Sequence, residues 1–238
     1  YTQDQYDFGS MKKRHGSILG ITQDEYDAVM AKWNKTVVVN DETESQDPVL
    51  EYNFNETLSG TTIKDSSTRG NDGTLYGNAT YSTDSDKGQV LYLDGSDSTY
   101  AELPQGFFDG RNKMTISMDV KPVMVTGNYF VFAYGKSDQK YVFMRTRDTE
   151  TRVALTTATW EAEEEVKATT SSVANKWVNV TFVIEEGKIS LYKDGLLVAK
   201  NDSLAMKTTD LGSDILSYLG KSFYSGDSYF KGYFDNVK

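Results

Sequence analysis

The stretch Trp177-Val-Asn-Val-Thr-Phe-Val-Ile184, followed by Glu185-Glu-Gly-Lys-Ile-Ser-Leu-Tyr192 and Lys193-Asp-Gly-Leu-Leu-Val-Ala199, decides the fold. Val178, Val180, Phe182 and Ile184 alternate with polar or smaller neighbours, which puts them on one face of a strand. Glu186-Gly187 then turns the chain into Lys188–Tyr192, and Asp194-Gly195 turns it again. A D-G pair between alternating runs is a strong hairpin signal. Met114, Ile116, Met118 and Val120 repeat the alternation upstream. About a dozen such runs follow Val49, with no second helical pattern and no fixed repeat. That pattern predicts an all-β, two-sheet antiparallel jelly-roll sandwich.

Composition agrees. The 238 residues include 16 Tyr and 11 Phe but 3 Pro, a balance suited to pleated, half-buried strands. The formal net charge of −10 argues against nucleic acid and against anionic membranes as partners. A neutral glycan stays open. The chain has no cysteine, so disulfides and thiolate metal sites are excluded. No apolar run approaches the ~20 residues of a membrane-spanning helix.

Upstream of the sandwich the pattern differs. Thr22-Gln-Asp-Glu25 is a capping box, and Tyr26, Val29, Met30 and Trp33 form one apolar stripe behind it. One short N-terminal helix is therefore expected. The expected organisation is an N-terminal segment 1–39, an acidic linker 40–48 and a β-domain 49–238. Tyr1 is not a natural start, so the sequence reads as a piece of something longer.

The residues also narrow the chemistry. His15 is the one histidine, so a zinc site lacks further His or Cys ligands, and a catalytic triad would have to be built on His15 in a segment with no nucleophile elbow. No E-x-D-x-x-E pattern places paired carboxylates on a strand, and Glu161, Glu163, Glu164 and Glu165 read as a solvated edge. In Tyr141-Val-Phe-Met-Arg-Thr-Arg147, alternation puts Tyr141, Phe143, Arg145 and Arg147 on one face. In Arg152-Val-Ala-Leu-Thr156, Arg152 points away from Val153 and Leu155. Trp160 and Tyr224 stand in polar stretches nearby in sequence. Flat aromatic faces and planar guanidinium donors are what a sugar's C–H face and hydroxyls require. Tyr141, Arg145, Arg147, Arg152, Trp160 and Tyr224 are thus the candidate ligand-binding set, with a polysaccharide or oligosaccharide as partner. The competing reading is that the arginines pair with the Glu161–Glu165 run and Trp160 packs half-buried.

A calcium ion is the one cofactor the residues suggest. Asp65-Ser-Ser-Thr-Arg-Gly-Asn-Asp-Gly73 is rich in the oxygens that calcium takes. Asp65 and Asn71, with Asp72 as a substitute, are the candidate ligands there. An Asx-type turn without metal accounts for the same residues.

Four stretches in order carry a family resemblance across residues 49–238. They are Tyr52-Asn-Phe54 with the Asp65–Gly73 loop, Val90–Gly95 with Tyr100–Pro104, Trp177–Phe182 with Leu191–Gly195, and Leu219–Ser222 with Gly232–Val237. Together they resemble the laminin-G-like, concanavalin A-like jelly rolls found beside bacterial glycosidases. In such domains the Asp65-type loop meets a last-strand aspartate at one cation, which implies Asp235 as a third ligand. Phe8-Gly-Ser-Met-Lys-Lys-Arg-His-Gly-Ser17 and the helix after it resemble the C-terminal end of a family 43 glycoside hydrolase propeller, most of all its arabinan-degrading members. There the position of His15 reaches a channel metal, while the catalytic acids lie in earlier blades that this sequence lacks. The resemblance implies a carbohydrate-binding accessory module of a secreted or cell-surface bacterial glycosidase. It would act beside a missing catalytic domain and be non-catalytic by itself, with arabinan as the expected glycan. Two alternatives stay open: the C-terminal part of a family 43 hydrolase, and a calcium-stabilised structural or adhesin domain.

Overall fold

The structure is a computed structural model that describes Thr22, residues 47–169 and residues 172–238. The expected helix, His15 and the linker residues up to 46 lie outside the described residues, Thr22 apart. Asp47–Lys238 form one compact unit.

Two antiparallel sheets face each other. The first runs β1 (Thr62–Ile63), β2 (Gly73–Tyr76), β5 (Tyr100–Leu103), β14 (Leu216–Leu219), β7 (Phe132–Ser137), β8 (Lys140–Thr146), β9 (Thr151–Thr156), β10 (Glu164–Ala168). The second runs β13 (Leu196–Asn201), β12 (Lys188–Lys193), β11 (Val178–Glu185), β6 (Met114–Pro122), β15 (Lys231–Asp235), β4 (Gly88–Asp94), β3 (Thr80–Asp84). Apart from short 3-10 turns, the described residues hold no helix. The all-β sandwich expected from the sequence is the fold observed.

The deciding stretch folds as its pattern requires. β11 buries every second residue, and it pairs with β6 so that Phe182 faces Ile116 and Val180 faces Met118. β11, β12 and β13 follow one another as hairpins. At the second turn Asp194 has φ 49° and Gly195 φ 76°, the left-handed pair that a two-residue hairpin demands. The core lies between the sheets. Phe182, Ile184, Leu191 and Phe234 meet Leu103, Phe132, Val142 and Leu155 there, all almost fully buried. Fully burying a side chain of this kind contributes roughly 1.5–3 kcal/mol, so the two inner faces hold the sheets together.

A second apolar cluster lies apart from that core. Phe130, Ala133, Tyr141, Phe143, Ala154 and Tyr218 form it. Their strand neighbours Phe132, Tyr134, Val142, Met144, Val153 and Leu155 belong to the main core. Since successive residues of a strand point to opposite faces, the second cluster lies on the outer face of the eight-stranded sheet. An outer face that buries aromatic rings is where a binding surface is to be sought.

Candidate functional site

On that outer face β8 and β9 pair in a register that sets Arg145 directly opposite Arg152. Like charges directly opposite repel, so each needs a carboxylate. Arg145 receives Glu150, whose Oε1 accepts from Nε at 3.0 Å and from Nη2 at 2.5 Å. Arg152 donates through Nη2 to Glu163 and through Nε to Glu165. The Glu163 side chain is only 5% exposed, so this pair is largely desolvated. Each guanidinium carries five N–H donors. These bonds use two apiece, fix the planes and leave donors for a ligand.

The guanidiniums rest on an aromatic floor. Their central carbons stand 5.8 Å (Arg145) and 5.3 Å (Arg152) from the centre of the Phe143 ring, within cation–π range. Phe143 stacks on Phe130, with centroids 4.1 Å apart and planes at 6°. Next along β8, the Tyr141 hydroxyl donates to Glu163 and lies 3.0 Å from the Tyr224 hydroxyl. Tyr224 in turn donates to the Asp138 carbonyl at 2.9 Å. Burial, with the Glu163 bond next, pushes the Tyr141 phenol far above the usual tyrosine range, so it stays a proton donor. Gly135 on β7 faces Tyr141, and a Cβ there would lie 2.7 Å from the Tyr141 Cα. A side chain at 135 would therefore push β8 away from β7 at the floor of the site.

A cleft of about 380 Å³ opens over this floor. Tyr141, Arg145, Arg152, Trp160 and Tyr224 all line it, so five of the six sequence candidates converge. Trp160 stands on a 3-10 turn, Trp160–Ala162, that buries none of its residues. It is 63% exposed, so the half-buried packing weighed for it does not occur. Its indole is available for stacking.

Arg147 does not join the set. β8 ends at Thr146, and alternation stops with it. The Thr146 hydroxyl sits among those of Thr151 and Ser172, and the Arg147 Nε is buried without a partner. The solvated edge expected of Glu161–Glu165 also needs correction, because Glu163 and Glu165 are the counter-ions of Arg152. The pairing weighed against a binding role is thus real, and it orients the guanidinium within the cleft. Asn128, Phe130, Glu163 and Asp227 also line the cleft and were not singled out from the sequence. They stand on the segment before β7, at the end of the Trp160 turn and on the Ser222–Tyr229 loop, whose placement no local pattern gives.

The three calcium candidates are not equivalent. Both Asp65 oxygens are taken: Oδ1 accepts from the amides of Glu51 and Ser67, Oδ2 from the Ser67 hydroxyl and the Asn71 amide. Burial opposes ionisation of Asp65, but these four bonds outweigh it and lower its pKa. Asn71 donates to the Val49 carbonyl, and Asp72 pairs with Lys64 at 2.6 Å. Asp235 lies opposite Asp119, with Lys87 at 3.8 Å and Asn236 donating to it. Protein donors already engage both oxygens of Asp65 and of Asp72, so this loop as arranged fits the Asx-type turn better than a cation site. Among the described residues no group of three or more His, Asp or Glu side chains is arranged to hold a metal.

A family model described as the concanavalin A-like lectin/glucanases superfamily matches residues 93–238. The chain belongs to this superfamily. An alpha-L-arabinofuranosidase of Bifidobacterium longum subsp. longum is 28% identical over 169 residues, which is 65% of this chain and 16% of that protein. The chain thus spans about a sixth of the curated relative's length. Among solved structures, domain 4 of AbnA, a GH43 extracellular arabinanase from Geobacillus stearothermophilus in complex with arabinotriose, superposes with a TM-score of 0.65. It is 19% identical, and the match covers 79% of this chain and 89% of that domain. The binding domain of botulinum neurotoxin serotype D/C follows at TM-score 0.60 and 13% identity, covering 79% of this chain and 47% of the other. At such identities the shared property is the superfamily's fold.

Proposed function

We propose that the chain is a non-catalytic carbohydrate-binding module of a secreted bacterial glycosidase, and that its ligand is an arabino-oligosaccharide or arabinan. The observation that carries the proposal is the cleft on the outer face of the eight-stranded sheet. There an exposed indole, a buried aromatic floor and two oriented guanidiniums converge. Rings and indole take a sugar's C–H face, and the free N–H donors take its hydroxyls. The arabinofuranosidase relative and the arabinanase domain in complex with arabinotriose support the choice of sugar.

The arrangement favours binding over hydrolysis. A glycosidase needs one carboxyl that delivers a proton and another that attacks or activates water. Of the carboxylates bordering the cleft, Glu163 is engaged by Arg152 and Tyr141, and Asp227 accepts from Ser222 at 2.7 Å. Activity would then belong to a catalytic domain outside this sequence, in keeping with the propeller-like residues 1–33. Affinity electrophoresis of the full chain in arabinan, xylan, fructan and galactan tests the proposal. Retardation by arabinan is expected. Retardation by none of the four rejects it, and release of sugar from arabinan by this chain rejects its non-catalytic part.

A further inference from the structure

The cleft does not stand alone. A second cleft, of about 340 Å³, is lined by Gln139, Thr159 and Trp160 and reaches Tyr224. A third, of about 280 Å³, is lined by Lys221, Ser225 and Tyr229 and also reaches Tyr224. Tyr224 lines all three, while Trp160 joins the first to the second and Asp227 joins the first to the third. Each is near or below the lower end of the ~300–1,000 Å³ range of small-molecule sites. A single arm therefore suits one or two sugar residues, and a longer ligand must occupy several arms.

The third arm has its own recognition groups. The Lys221 ammonium lies 4.1 Å from the centre of the Tyr100 ring and 4.3 Å from that of Tyr218. Tyr100 stacks on Tyr76 at 4.6 Å with planes 6° apart, and Tyr76 is 39% exposed. The rings hold the ammonium as a directed donor beside the cleft. Asp138, Glu161, Glu163 and Asp227 line the three arms against Arg145, Arg152 and Lys221. Four carboxylates against three cations leave no excess positive charge, which favours a neutral saccharide over a uronate.

Resting on the carbohydrate-binding proposal, we infer that this face recognises a branch point: a neutral branched oligosaccharide whose main chain and side residue diverge over Tyr224 into separate arms. A linear chain fills two arms and leaves the third to water. A branched one fills all three.

The test is isothermal titration of the full chain with two arabino-oligosaccharides of equal residue number, one linear and one carrying a single arabinose side residue. The branched probe should bind at least tenfold tighter. In Lys221→Met and Gln139→Ala, which each alter one outer arm, that ratio should fall at least threefold in one variant or both. Equal affinity for the two probes in the wild type overturns the branch-point inference and leaves the carbohydrate-binding proposal standing. A ratio unchanged in both variants also overturns it. Binding of neither probe rejects the underlying proposal itself.

Discussion

At the scale of single residues, the site turns on one ion pair. Arg152 was legible from alternation alone, because Val153 and Leu155 define the buried face of β9. Its partner Glu163 was not legible, since a run of four glutamates in five positions carries no mark of which one turns inward. Removing Arg152 leaves a carboxylate that is 5% exposed without its counter-ion, held only by the Tyr141 hydroxyl. Arg152→Ala should therefore lower stability by about 3 kcal/mol, near the lower end for a broken buried pair, and lose affinity for arabino-oligosaccharide. Arg152→Ala with Glu163→Gln should recover most of that stability without recovering affinity. Chemical denaturation and titration of the three proteins check both halves, and recovered affinity in the double variant would make the arginine merely structural. A second residue sets an acid limit. Burial opposes ionisation of Asp84, but bonds from Lys121, the Trp177 indole and the Asp86 amide hold its pKa down to about 2. The folded pKa lies below the unfolded 3.8, so its stabilisation is present above about pH 4 and fades as pH falls towards 2. Denaturant midpoints between pH 5 and pH 2 should drop more steeply in the wild type than in Asp84→Asn. Parallel profiles would contradict this.

Elements explain why the fold was readable and the site only partly so. β6 and β11 alternate without a break because one face is core and the other, Val183 apart, is polar. β8 is different: apolar residues cover both of its faces, Val142 and Met144 towards the core and Tyr141 and Phe143 outward. That double burial is itself a signal, since a sandwich strand with an exposed outer face has no need of it. Arg147 was misplaced because strand ends are invisible to alternation, and β8 stops one residue before it. The Asp65 loop shows the converse limit. Its oxygens fit a calcium list by composition, while the backbone amides that claim them appear only in the fold. Excess calcium and a chelator should therefore give the same melting temperature. A rise with calcium that Asp65→Ala abolishes would put the ion back between the first and last strands.

On the scale of the whole molecule, the two sheets divide the work. The seven-stranded sheet closes the core, and the eight-stranded sheet carries the proposed binding surface on its outer face. The superfamily and the jelly roll were legible because four short motifs in order are fixed by hairpins and a shared core. The sugar was not, because it is set by how β8, β9, the Trp160 turn and the Ser222–Tyr229 loop meet. Trp160 is where binding and folding separate most cleanly: it is 63% exposed and its turn buries nothing. Loss of one stacking face is worth about 0.5–1.5 kcal/mol, or roughly twofold to tenfold in affinity at 1.4 kcal/mol per decade. Surface substitutions of this kind leave stability within about 0.5 kcal/mol. The most direct measurement is isothermal titration of the full chain with arabinotriose, wild type against Trp160→Ala, with melting curves alongside. Saturable binding that weakens about twofold to tenfold in the variant, at an unchanged melting temperature, is the predicted result. No saturable binding, or equal affinity in the two proteins, would contradict a saccharide site on this face.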